Sequence, residues 1–347
     1  MTTSRDAWSP RGGRLLYVIS PPRSGSSMLR LMLESHSRIR GSIEPCIMVP
    51  LRHAGYFGTP RAADYDYVNA ANALRQFVAL LPGGEDDYVE ACRAYAGELY
   101  RRKLGDAGAH YFLDKTPENV LEWEFVTRVF PEARYLVLTR HPLAVFHSSA
   151  SSFFLGDYER AWREYDLLAA YLPKIAAFLR EAPVDTRVVR YEDVVRDPEG
   201  TMRGVLGWLG LDFEPAVVEF GDVPHEIARD ADTVRGARHG RPTLVSLDGW
   251  KDALGADPAK AAVARRMLES LDAGVLETYG FSKDQVLAEI PGVAGRVPRP
   301  ARWTSHRFKR QVYFAIRSIA RRRGPRALLE RLRFYVDVLL REHPLDG

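Results

Sequence analysis

Hydrophobic positions along the chain fall into two periods, and the period changes where turn residues cluster. Residues 15–20 (LLYVIS) form a short apolar run bounded by turn residues, which predicts a buried strand. Residues 26–35 follow with Met28, Leu29, Met32 and Leu33 on one helical face. Residues 63–104 read as helical with a break at LPGG, 81–84. YFLDKTP, 111–117, is a short strand stopped by Pro117, and a helix over 121–130 ends before Pro131. RYLVLT, 134–139, is the clearest strand, and it runs into Arg140, His141 and Pro142, where a helix opens. Residues 158–181 read as helix, 186–190 (TRVVR) as strand and 198–209 as helix. Strands that alternate with helices argue for an α/β fold, three layers deep, with a central parallel sheet and helices on both faces. Residues 222–256 carry little periodicity and are rich in Gly, Pro, Asp and Arg, as a functional or a disordered loop would be. Helical patterns return past Ala261.

Composition adds little except through charge. With 46% hydrophobic and 27% charged residues, the 347-residue chain reads as a globular protein with a sizeable core. Two cysteines, Cys46 and Cys92, make no disulfide framework and fit a reducing compartment. The first residues hold no apolar signal stretch, and no apolar run approaches the roughly 20 residues needed to span a bilayer. The expected location is cytoplasmic. The net charge of +4 conceals an asymmetry. Residues 296–347 hold 14 Lys plus Arg against 4 Asp plus Glu, so this tail is +10 and the other 295 residues are −6. The organisation read from this is a body, 1–295, and a basic segment, 296–347, whose helical extension follows the linker VPRPARW, 297–303. The tail has two apolar stripes, from Phe308 to Ile319 and from Leu328 to Leu339, with arginine on the polar faces. Such helices suit an anionic membrane surface, a dimer contact or packing on their own core. The charge pattern does not suggest that the whole protein binds nucleic acid.

The chemistry begins at PPRSGSSMLR, 21–30, between the first strand and the first helix. Gly25 lets backbone approach a ligand, and the N–H groups of 24–27 would point at an anion, helped by the helix dipole. Ser24, Ser26 and Ser27 add hydroxyls, and Arg23 adds a planar charged fork. A simple capped helix start is the plainer alternative. The familiar nucleotide loop GxxxxGK[ST] has a lysine that this loop lacks. A second group lies in RYLVLTRHPLAVFHSSASS, where Arg140 ends a strand and Ser148 follows eight positions later. An arginine and a serine there would suit a second phosphate.

On these residues the chain resembles the sulfotransferase family, whose donor is 3′-phosphoadenosine-5′-phosphosulfate (PAPS) and whose product is adenosine 3′,5′-bisphosphate (PAP). In that family a PxRSGT/S loop holds the 5′-phosphosulfate, and an Arg with a Ser eight positions on holds the 3′-phosphate. The resemblance extends through FLDKTPEN, RVFPEARYLVLTRHP and VVRYEDVVRDPEGTMRGVLGWLGL, and covers roughly residues 14–256. It implies donor motifs at 17–30, 134–152 and 235–256, in a P-loop-like fold. It implies that Glu44, 21 residues after Arg23, is the general base, as a glutamate at this distance resembles in tyrosylprotein sulfotransferases and a bacterial trehalose sulfotransferase. His53 and His110 are fallback bases. Lys115 in DKTP matches a lysine that stabilises the bridging oxygen or sulfonate, a role Arg23 would share, and Asp114 would orient Lys115 or cap the next helix. Tyr191 matches a tyrosine near the adenosine. The late segment RGARHGRPTLVSLDGWKDAL resembles the family's nucleotide-covering loop, so Gly240 and Arg241 would reach the 3′-phosphate, Trp250 would stack on adenine or anchor the loop, and Ser246 would lie near the sulfonate. Arg238 competes with Arg241, because the spacing departs from the cytosolic enzymes' pattern.

The activity implied is sulfuryl transfer to a hydroxyl of a small-molecule acceptor: a sugar, a phenol, a lipid-linked compound or a natural product. No metal is required, since the sulfuryl group carries less charge than a phosphoryl group. Residues 45–110, with Tyr56, Phe57, Tyr65 and Tyr67, would be an acceptor-facing insertion. Two other readings stay open: a P-loop small-molecule kinase, and a non-catalytic nucleotide-binding or membrane-adaptor protein.

Overall fold

A computed structural model describes residues 8–57, 67–105, 108–225 and 240–291. The segment 296–347, its linker VPRPARW included, and Arg238 lie outside the described residues, as does Tyr65. A five-stranded parallel sheet forms the centre, in the order β2-β3-β1-β4-β5. Its strands are β1 (Leu15–Ile19), β2 (Ile39–Gly41), β3 (Tyr111–Asp114), β4 (Arg134–Thr139) and β5 (Asp185–Arg190).

The two-residue repeat of a strand sorts the core into two halves. Leu15, Tyr17 and Ile19 of β1, with Tyr135 and Val137 of β4, face one helical layer. That layer includes α4 (Glu85–Leu104), α5 (Trp123–Val129), α6 (Pro142–Phe154), α7 (Tyr158–Glu164), α8 (Leu167–Glu181) and a C-terminal group: α11 (Gly249–Ala256), α12 (Pro258–Ser270), α13 (Ala273–Tyr279) and α14 (Lys283–Ala288). Leu16 and Val18, with Leu136 and Leu138, face the other layer: α1 (Ser26–Glu34), α9 (Tyr191–Arg196) and α10 (Pro198–Leu209). Both faces are covered, so the interior strands β1, β3 and β4 are almost wholly apolar.

The elements follow the expected pattern with some differences. The run 158–181 is two helices, because Asp157 and Asp166 each accept a hydrogen bond from a backbone N–H and start a separate helix. The helix over 121–130 begins as a 3₁₀ turn, Pro117–Glu122, before α5. GWKDALGA, inside the irregular stretch 222–256, forms α11. β2 and α9 carry too few residues to show a period. Within 45–110, α2 (Met48–Arg52), α3 (Tyr67–Ala79) and α4 follow β2, and α4 buries Val89, Cys92, Ala96, Tyr100 and Leu104 in the main core.

The strand order matters for function. After β1 the chain turns outward through α1 towards β2 and β3, then returns on the other side of β1 as β4 and continues to β5. β1 and β4 are therefore neighbours whose following connections diverge. This leaves a crevice at their carboxyl ends, where open α/β sheets bind ligands.

Candidate active site

The loop 20–25 leaves β1 at that crevice. Arg23 has φ 73° and Gly25 φ 90°, both in the left-handed region. The conformation costs a residue with a side chain about 1–2 kcal/mol, so Arg23 needs outside support. Arg140, at the end of β4, supplies it: Nη1 donates to the Arg23 carbonyl at 3.0 Å. Nη2 donates to the Ser246 carbonyl at 2.6 Å, so one guanidinium ties the first loop to the late loop. The guanidinium carbon stands 4.1 Å from the centre of the Tyr191 ring. Gly25 packs against that same ring, where a Cβ would come within 2.4 Å. The Arg140 backbone N–H donates to the Tyr279 hydroxyl at 3.1 Å, and the next N–H, of His141, donates to Glu192 at 2.8 Å. Arg140 is 7% exposed and its Nε, buried, has no partner. Burial pulls its pKa below the usual arginine value.

Gly25 precedes α1 as its N-cap, with no side-chain cap and no acidic residue in the first turn. By contrast, aspartates cap α7, α8, α10, α12 and α13, and Ser282 caps α14. The first N–H groups of α1 thus face the crevice without a competing carboxylate. Above them lies a cavity of about 450 Å³. Arg23, Gly25, Ser26 and Ser27 line one side, and Arg140, Tyr191, Arg241, Ser246 and Trp250 another. The helix α6 adds Ala144, His147, Ser148, Ser151 and Ser152. Arg23 donates from Nε to Ser148 Oγ at 3.1 Å, joining the two motifs. Among the described residues that line the cavity there is no aspartate or glutamate.

Several expected contributors stand elsewhere or differently. Ser24 is fully buried and turns towards Tyr279 rather than lining the cavity. Trp250 is 3% exposed and stacks on His141, centroids 4.5 Å apart and planes 12° apart, as an anchor for α11 that shows only part of its surface to the cavity. Gly240 packs against Gly221, and its carbonyl accepts the Gly221 N–H at 2.8 Å. Arg241 is largely exposed and pairs with Glu219 at 3.4 Å. His147, Ser151 and Ser152 were not foreseen. The run HSSASS carries the signal, since Ser151 and Ser152 lie three and four positions past Ser148 and share its helix face.

Glu44 and Lys115 form a second group, bonded at 2.5 Å. Lys115 follows β3, the neighbour of β1, so it leaves the same edge of the sheet as the loop 20–25. Its side chain is 6% exposed, whereas that of Glu44 is 41% exposed. The Cys46 N–H donates to Thr116 Oγ1 at 3.2 Å, pinning the Glu44 segment to the turn that carries Lys115. Asp114, beneath them, is fully buried and accepts from Tyr100 Oη at 2.6 Å and Asn119 Nδ2 at 3.3 Å. Burial raises its pKa. Its hydrogen bonds go to the turn and α4, not to Lys115. His53 pairs with Glu122 at 3.1 Å, and the His110 ring packs on Tyr111.

Residues 16–215 match the model of the family described as the sulfotransferase family. The chain is 25% identical over 228 residues to the nodulation protein NoeE of Sinorhizobium fredii, covering 60% of this chain and 52% of that one. It is 24% identical over 212 residues to protein-tyrosine sulfotransferase 1 of Danio rerio, covering 59% and 55%. The chain spans about half the length of the curated relatives it matches. Among solved structures, the sulfotransferase domain of the Synechococcus PCC 7002 olefin synthase superposes with a TM-score of 0.48 at 20% identity, over 74% of this chain and 95% of that one. The sulfotransferase domain of the curacin biosynthetic pathway gives 0.47 at 20% identity, over 73% and 95%.

Proposed function

We propose that this chain, which belongs to the sulfotransferase family, transfers a sulfuryl group from PAPS to a hydroxyl of a small-molecule acceptor. One observation carries the donor reading. The cavity at the β1–β4 crevice joins an uncapped helix N-terminus, three arginines and a row of serines, with no carboxylate among its described lining residues. Such a site favours a ligand with more than one anionic group. Its volume lies within the range of about 300–1,000 Å³ usual for small-molecule sites. The partnerless Arg140 Nε is a donor for which an anion would be a partner.

In this reading the N–H groups opening α1, with Ser26, Ser27 and Arg23, hold the 5′-phosphosulfate. Arg140 and Ser148 hold the 3′-phosphate, with Arg241 at the rim. Tyr191 and the exposed part of Trp250 bound the nucleoside. When bound, PAPS supplies a sulfuryl group on a phosphate leaving group. Glu44 takes the proton of the acceptor hydroxyl as its oxygen attacks. Lys115 holds the Glu44 side chain in place through their hydrogen bond, and with Arg23 offsets negative charge as it grows on the leaving oxygen. The exposed carboxylate and the buried ammonium suit these roles: one meets an acceptor arriving from solvent, and the other is held in place. The aromatic residues Tyr56, Phe57 and Tyr88, in mutual ring contact, offer an apolar wall for an acceptor.

The test is transfer of labelled sulfate from PAPS to a panel of sugar, phenol and lipid-linked hydroxyl acceptors. Glu44→Gln keeps a hydrogen-bond acceptor for Lys115 but removes the base. It should lower kcat by roughly a hundredfold or more while the dissociation constant for PAP changes less than about threefold. Turnover equal to that of the parent protein would remove Glu44 from the mechanism.

A further inference from the structure

His147 lines the donor cavity, and although it lies within the stretch 134–152 the resemblance assigns it no role. It sits on α6 beside Ser148, and its ring is fixed from behind. Nδ1 lies 2.6 Å from the hydroxyl of Tyr158 on α7. Burial raises the Tyr158 pKa, so this hydroxyl keeps its proton and can donate it to Nδ1. Nδ1 then acts as acceptor, and the neutral ring carries its hydrogen on Nε2. Among the described residues Nε2 has no hydrogen-bond partner, and it is not a buried orphan either. It is the polar atom that the ring has available for the cavity.

The charges that act on the ring itself are positive, while the Asp257 carboxylate acts on the Tyr158 hydroxyl behind it. Arg140 approaches from the end of β4 and Lys260 from α12, and both, after burial, hold the His147 pKa below its ordinary value. Lys260 also stands over the Tyr158 ring, 5.8 Å from its centre, and pairs loosely with Asp257 at 3.8 Å. Tyr158 and Trp250 add no charge. A ring held neutral by positive neighbours becomes a better base when a dianion arrives among them.

We propose that His147 contacts the ligand in this cavity, donating from Nε2 to a phosphate group of the bound nucleotide and taking up a proton as that phosphate binds. This rests on the donor reading above, because it needs a phosphate at the Arg140–Ser148 end of the cavity. The proton comes from solvent and sits on Nδ1 as long as the phosphate is bound, with the Tyr158 hydroxyl turning from donor to acceptor. Linkage fixes the sign. The free ring has the lower pKa and the bound ring the higher. Affinity therefore rises as pH falls through the bound value, and levels off below the free value.

The experiment is calorimetric titration of the full chain with PAP between pH 6 and pH 8, in pairs of buffers with different ionisation heats. A phosphate also binds a proton, with a pKa near about 6. The quantity that decides is therefore proton uptake by the parent protein minus uptake by a His147 variant, read near pH 7. His147→Gln keeps a neutral donor close to the Nε2 position but cannot be protonated. Its affinity at pH 8 should lie near the parent's, and the parent should bind more tightly by about tenfold or more at pH 6. His147→Ala should bind more weakly at both values. Equal proton uptake and parallel pH profiles for parent and His147→Gln would overturn the role of His147 and leave the donor reading standing. Failure of the parent protein to bind PAP would overturn both.

Discussion

Arg140 stands where three parts of the molecule meet, and its bonds explain why small changes nearby should be costly. Its guanidinium holds the carbonyls of Arg23 and Ser246 and lies over Tyr191, whose ring in turn touches Gly25. Gly25→Ala is the sharpest probe. The added methyl would meet Tyr191 at 2.4 Å in a backbone conformation, φ 90°, that disfavours side chains. We expect a loss of about 1–3 kcal/mol in stability, visible as a lower Tm, and PAP binding weakened by roughly tenfold or more as Arg140 is displaced. Unchanged PAP binding would show that the ring and the arginine are not coupled. Much of this site was legible because each residue type has a narrow use: a glycine before a helix, an arginine ending a strand, a serine at a helical interval. The direction of a side chain was less so. Ser24 and Ser26 sit side by side in PRSGSS, but only the fold shows that Ser24 faces Tyr279 while Ser26 faces the cavity. His147 was hidden for the same reason, since its neighbour Ser148 drew the motif and its own role depends on Tyr158 in another helix.

Most strands and helices long enough to repeat a period were legible, but β2, with three residues, was not, and α11 was hidden in the Gly- and Asp-rich stretch 222–256. Capping explains the one helix that became two, because Asp157 and Asp166 offer the backbone a better partner than helix continuation does. The end of β3 carries a cost of its own. Asp114 is buried under the turn that positions Lys115, and burial lifts its carboxyl above the ordinary 3.8 despite hydrogen bonds from Tyr100, Thr116 and Asn119. Folded Asp114 holds its proton more tightly than the unfolded chain does. Its favourable contribution is complete below 3.8 and is lost as pH rises through the raised folded value. Asp114→Asn removes that titration. Denaturant unfolding at several pH values should show the stability of parent minus variant falling as pH rises above 3.8. A difference that stays flat or rises would mean that the carboxyl is not destabilised by burial.

Taken whole, the molecule brings two distant stretches of sequence together by strand order. Placing β4 beside β1, with their connections diverging, sets Arg140 against Arg23 across 117 positions of chain. The sequence motifs implied a parallel sheet, but spatial order is a property of the packed layers. The pairing of β1 with both β3 and β4 is what brings the loop 20–25, Lys115 and Arg140 to one edge. Among the described residues no helix is long and apolar enough to cross a membrane. The charge of the body and that of the +10 segment, 296–347, remain opposite in sign. The proposed function rests on which anion the crevice binds. Calorimetric titration of this chain with PAP, set against 5′-AMP and against ATP with magnesium, tests it most directly. The account predicts metal-independent binding of PAP, tighter than that of 5′-AMP by roughly tenfold or more, the effect of a charged hydrogen-bonding partner for the second phosphate. A preference for ATP with magnesium, or equal affinity for PAP and 5′-AMP, would contradict it.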